Sequence, residues 1–182
     1  MRAQGDLDGA IAEYSRAAEL LPRYPIFHFN LGLANDRAGE FAAAIGSYQQ
    51  ALALDPTYVK ALNNLAFVYL ETGQLDEAAE LLQRGLDLQP DASYLHKNLG
   101  RVHLEQGRTA DAIVELNQAV QLSDVPYAEA MFYLARAYDD AGQLEKACAM
   151  LSEYNLVAGA DAADDPTRPA AARSLAAELQ CP

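Results

Sequence analysis

Apolar and polar positions along this chain alternate with helical spacing, in blocks that return at a fixed distance. Leu7, Ile11, Tyr14 and Ala18 fall on one face of a segment over 6–21. The same reading predicts helix pairs at 25–38 with 41–54, 59–72 with 75–88, 93–106 with 109–122, and 127–141 with 144–157. A final amphipathic helix is predicted over 169–180, with Ala171, Leu175 and Leu179 on one side and Arg173, Glu178 and Gln180 elsewhere.

The blocks are copies of one unit. Gly5, Gly39, Gly73, Gly107 and Gly142 recur at intervals of 34, 34, 34 and 35 residues by subtraction of their numbers, each placed to close a helical hairpin. Large apolar residues stand in step at Leu31, Leu65, Leu99 and Leu134, followed by small ones at Gly32, Ala66, Gly100 and Ala135. Beyond each glycine come Ala10, Ala44, Ala78, Ala112 and Ala147, then Tyr14, Tyr48, Leu82, Leu116 and Leu151, then Ala17, Ala51, Gly85 and Ala119. Small columns let helix backbones approach, and large ones fill the space between neighbours. Pro22, Pro56 and Pro90 stop the units, and Ser123-Asp124-Val125-Pro126 absorbs one extra residue.

These columns resemble the tetratricopeptide repeat over residues 1 to about 157. The resemblance implies an all-α, right-handed α-solenoid of stacked antiparallel helix pairs. Its expected parts are a partial repeat at 1–24 holding a second helix only, and full repeats at 25–58, 59–92, 93–126 and 127–157. An acidic loop at 158–168, with Asp161, Asp164, Asp165 and Pro166, and a capping helix at 169–182 follow. Residues 6–21 read as the second helix of a unit whose first helix would lie upstream, which marks the chain as a fragment or as one with an abbreviated first repeat. Their apolar face then lacks cover, and self-association through it is expected. Tyr154 stands where the column calls for a small residue, so this helix should meet a different neighbour.

In this family the first helices line a concave surface that holds partners. One of its columns reads Asn30, Asn64, Asn98 and Tyr133. Asparagine is a mediocre helix former, and its amide can both donate to and accept from a peptide backbone. The column is similar to the asparagine ladder of peptide-binding repeat proteins such as the repeat domain of O-linked N-acetylglucosamine transferase. Repeat inheritance and a plain solvent-facing position are the two simpler readings. Neighbouring columns hold Phe29, Asn63, Lys97 and Phe132, and Leu33, Phe67, Arg101 and Arg136. The earlier units offer apolar contacts and the later ones cations, while Glu71, Glu105, Asp139 and Asp140 would accept a basic group. The lysine and asparagine places of the chaperone-tail clamp fall on Phe29 and Leu33 or on Asn63 and Phe67, so that clamp is not expected.

Charge and composition narrow the partner. A formal net charge of -13, from 26 acidic and 13 basic side chains, repels nucleic acid and anionic bilayers. No apolar run approaches a membrane span and no secretory leader is recognisable. The hydrophobic share of 51% suffices for a core without a metal or disulfide staple. Cys148 reads as a small core residue and Cys181 as an exposed thiol, which favours a reducing compartment and a cytoplasmic location.

Catalytic chemistry finds no footing in the sequence. His28 and His96 share a packing column with Leu62 and Met131, and His103 shares one with Tyr69 and Tyr138, so neither a metal set nor a nucleophile relay is expected, and no cofactor. The sequence therefore points to a scaffold that binds a protein or peptide, an extended strand or a partner helix. The competing readings are a substrate-recruiting repeat domain of a larger enzyme such as a glycosyltransferase, and a self-assembling structural scaffold.

Overall fold

A computed structural model describes residues 2–161 and 168–181, with side chains described over 7–157 and 168–181. The helices run α1 Arg2–Leu20, α2 Pro25–Arg37, α3 Phe41–Leu54, α4 Val59–Glu71, α5 Leu75–Leu88, α6 Ser93–Glu105, α7 Thr109–Gln121, α8 Ala128–Asp140, α9 Leu144–Asp161 and α10 Arg168–Glu178. No strand occurs among the described residues. Most bounds fall within a residue or two of those expected. Two helices run longer: α1 begins at Arg2 and α9 continues to Asp161. Asp164, Asp165 and Pro166 of the expected acidic loop lie outside the described residues.

Hairpin closure follows from backbone geometry. At Gly73 φ is +79°, the Gly73 N–H donates to the Leu70 carbonyl at 3.2 Å, and the Gln74 N–H reaches back to the Tyr69 carbonyl at 2.8 Å. That pair of bonds satisfies carbonyls the helix end would otherwise orphan, and it needs a residue that tolerates the left-handed region. A Cβ on Gly73 would meet nothing within 4 Å, so conformation and not space is what demands glycine there. The pattern repeats at Gly39, Gly107 and Gly142. Gly5 behaves differently. It lies inside α1.

Between α2 and α8 no helix has a side-chain hydrogen bond at its N-cap, so packing is what holds these helices. Small residues set the approach. A Cβ on Gly32 would stand 2.6 Å from the Tyr48 ring, and one on Gly100 would stand 2.5 Å from Leu116 Cγ. Neither site has room for alanine unless the Tyr48 or Leu116 side chain shifts.

The chain divides into two compact units, residues 1–90 and 91–182. In the first, α2 pairs with α3 and α4 with α5, and α1 packs on α2. Its core is Ala44, Tyr48, Ala51, Leu62, Leu65, Val68, Ala78 and Leu82, all closed to solvent. In the second, α6 pairs with α7 and α8 with α9, and α10 lies against α9. One core cluster there joins Leu104, Ala112, Leu116, Leu134 and Ala137, and another joins Met131, Phe132, Ala135, Leu151, Tyr154 and Ala172. Fully burying one such Leu or Phe contributes roughly 1.5–3 kcal/mol. Tyr154 meets Ala172 of α10, so the large residue in a small column is matched by a small residue on the neighbour.

One expectation fails. Cys148 and Cys181 are joined as a disulfide, with Cα atoms 5.3 Å apart and a separation of 33 positions in sequence. Cys181 is therefore not a free thiol, and the argument for a reducing compartment falls with it. The pairing arises because α10 folds back along α9, a tertiary event with no local sequence signature.

A repeated tie inside each unit was also not read from sequence. Gln49 of α3 donates to the Tyr69 hydroxyl of α4 at 3.0 Å, and Asn117 of α7 donates to the Tyr138 hydroxyl of α8 at 3.3 Å. The donors and the acceptors belong to the same two columns, so each tie links the second helix of one hairpin to the first helix of the next.

Candidate partner-binding face

Twelve residues were expected to face a partner. Four of them are buried: Phe29, Lys97, Asn98 and Phe132 are each at most 9% exposed. The other eight, Asn30, Leu33, Asn63, Asn64, Phe67, Arg101, Tyr133 and Arg136, are half-buried and keep accessible surface.

In the first unit the face is neutral. Phe29 is a packing residue, its ring 5.8 Å from that of Tyr48 and 5.0 Å from that of Tyr58. Asn63 Nδ2 donates to Asn64 Oδ1 at 3.1 Å, and Asn64 Nδ2 reaches the Tyr48 hydroxyl at 3.5 Å. The second contact is long, which leaves the Asn64 amide readily turned toward another acceptor. Burial pushes the Tyr48 hydroxyl up to about 12, with the Asn64 bond opposing the shift.

The second unit carries charge on the corresponding columns. Lys97 Nζ of α6 donates to Glu129 Oε2 of α8 at 3.0 Å, and Arg168 Nη2 of α10 donates to Glu129 Oε1 at 3.3 Å. One carboxylate thus bridges two cations from different helices. Burial holds Lys97 below the ordinary lysine value, against the pull of Glu129 in the other direction. The Arg101 guanidinium lies over the Tyr133 ring, 4.9 Å from its centroid. Burial raises the Tyr133 hydroxyl, with Arg101 opposing, and raises that of Tyr127 to about 12, with Glu129 adding to the shift.

Arg136 lines a surface concavity of about 370 Å³ with Phe132 of α8 and Ala171, Ser174, Leu175 and Glu178 of α10. Arg101, Arg136 and Arg168 therefore gather around Tyr133 with Glu129 as their acidic company. Glu129 and Arg168 escaped the sequence reading, since neither belongs to a repeated column. Asn98, next to Lys97 in α6, is buried and keeps interactions of its own.

The histidines lie apart from this face. His96 is bonded to Glu115 of α7 at 2.7 Å, His103 accepts from Arg108, and His28 contacts the Pro22 carbonyl at 3.0 Å. No group of three metal-capable side chains occurs among the described residues.

Hairpins of fixed period, glycine closures and small columns are features that family models can match. Tetratricopeptide repeat models match residues 1–39, 37–102, 95–118 and 129–155. The chain belongs to the tetratricopeptide repeat family. No curated protein matches it.

Among solved structures, the thermophilic repeat protein TTC0263 of Thermus thermophilus is 23% identical, with a TM-score of 0.74 over 96% of this chain and 92% of that one. MamA is 24% identical, with a TM-score of 0.76 over 84% of this chain and 89% of that one. YrrB, described as a repeat protein with an unusual peptide-binding site, is 22% identical, with a TM-score of 0.66 over 92% of this chain and 84% of that one. At these identities the likeness is one of fold.

Proposed function

We propose that this tetratricopeptide repeat chain is a non-catalytic scaffold that holds an extended peptide or a helical segment of a partner protein on the first helices of its hairpins. The observation that carries this reading is the recurrence of accessible, hydrogen-bonding side chains at one column of those helices, in which Asn30, Asn64 and Tyr133 keep exposed surface. Amide groups there pair with a peptide backbone and make little demand on its side chains. The peptide-binding site named for YrrB supports the same class of function.

Ligand chemistry differs between the units. Leu33 and Phe67 suit apolar side chains, while Arg101, Arg136 and Tyr133 suit an acidic stretch. A chain of net charge -13 attracts an acidic ligand only where cations are concentrated, as they are around Tyr133.

The test is a quantitative pull-down that compares the parent chain with the Asn30→Ala, Asn64→Ala and Asn98→Ala triple variant at equal helicity. Loss of a partner captured by the parent is the expected result. Equal capture by both would remove the asparagine column from the binding site.

A further inference from the structure

The cap helix α10 rests on residues that the repeat assigns to the partner-binding face. Ala172 packs into the cluster of Phe132, Ala135, Leu151 and Tyr154, and Leu175 lines the concavity shared with Phe132 and Arg136. Arg168, at the first position of α10, reaches Glu129 in the ion pair with Lys97. Where an uncapped end would present Phe132 and Arg136, this chain has a helix lying across them.

That helix is weakly rooted. It has 11 residues, fewer than the 12–15 or so that an isolated helix needs, and Ala172 is its single fully buried residue. Leu175 and Ala176 are half-buried, as is Leu179 just beyond its end, while Ala170, Ala171, Arg173, Ser174, Ala177 and Glu178 are exposed. Its far end is tied to α9 by the Cys148–Cys181 disulfide.

Cys148, half-buried, lines a surface concavity of about 410 Å³ with Leu144, Glu145, Ala149 and Ser152.

We propose that the Cys148–Cys181 disulfide is a redox latch, which in its oxidised form clamps α10 over Phe132 and Arg136 and on reduction by a dithiol releases it to bare them. The chemistry is thiol–disulfide exchange. A thiolate of the dithiol reductant attacks Cys148 Sγ, the sulfur–sulfur bond breaks, and Cys181 leaves as a thiolate that takes up a proton. The reductant's second thiol then displaces Cys148 from the mixed disulfide. Two electrons and two protons pass from the dithiol to the two cysteines, and the reductant ends as its own disulfide.

Release of α10 also withdraws Arg168 from Glu129, so Lys97 keeps that carboxylate alone. As regulation of the binding face the latch rests on the proposed function, but its opening is measurable with no ligand present.

The experiment is hydrogen exchange on the full chain, oxidised and after dithiothreitol, with the Cys148→Ser and Cys181→Ser double variant without reductant as the second arm. The expected result is a loss of amide protection over 168–178 of tenfold or more in both arms, with 93–121 unchanged, and a several-fold rise in fluorescence of the anionic dye anilinonaphthalene sulfonate. Unchanged protection of α10 in either arm, or a disulfide that resists native-state reduction, overturns the latch. The pull-down reads the asparagine column independently, so either idea can fail while the other stands.

Discussion

Tyr14 in α1 and Leu151 in α9 occupy one column of the repeat, and Ala10 and Ala147 occupy another. Leu151 and Ala147 are closed to solvent, whereas Tyr14 and Ala10 are half-exposed. Column identity says which face of a helix is apolar. How deeply that face is buried depends on what lies against it. α9 has α8 on one side and α10 on another, with Tyr154 and Leu151 shared between them, while α1 packs on α2. The comparison teaches that in a chain of near-identical units the energetic weight of a position is set by its neighbours along the stack.

The sharpest way to break that comparison is truncation at both ends of the column. Leu151→Ala is expected to cost about 2–5 kcal/mol, since it removes a fully buried side chain and leaves a cavity. Tyr14→Ala is expected to cost about 1 kcal/mol, as a half-exposed position does. Urea denaturation of the two variants reads both, and equal losses would contradict the burial difference.

Next comes alkaline pH, which probes the same column inside the first unit. Tyr48 is fully buried and keeps its proton up to about 12, whereas an unfolded tyrosine gives it up near 10. Between those values the folded state binds more protons than the unfolded one, so stability falls as pH rises through the window, by about 3 kcal/mol in all. Tyr48→Phe should flatten that part of the fall and leave the share due to Tyr127, which shifts in the same direction. Thermal melts from pH 9 to 12 would show it.

The smallest effect concerns the ties that repeat in each unit. Gln49→Ala and Asn117→Ala each remove one hydrogen bond to a tyrosine hydroxyl, at about 0.5–1.5 kcal/mol. Similar costs would mean that the ties are equivalent in both units. A larger cost for Asn117 would reflect its second bond, to the Ile113 carbonyl at 2.7 Å.

How much of this was legible beforehand differs between fold and face. Helix positions followed from local rules: glycine at a left-handed turn, proline two residues past the ends of α1, α3 and α5, and small residues at helix crossings. The proposed binding face was legible only as columns. Phe29 and Phe132 read as presented side chains, yet Tyr48 and Tyr58 enclose the first, and Tyr154 and α10 enclose the second. Those partners come from other helices, and no spacing along the chain announces them.

By itself, then, the sequence determined the period, the helix pairing and which face of each helix is apolar, because these depend on backbone preferences and on contacts within a hairpin. Tertiary structure alone decided the depth of burial at each copy of a column, the Glu129 bridge between Lys97 and Arg168, and the union of Cys148 with Cys181. The physical reason is common to all three. Each depends on how helices distant in sequence are brought together, and the repeat pattern is silent on that wherever the repeat itself gives way to a cap.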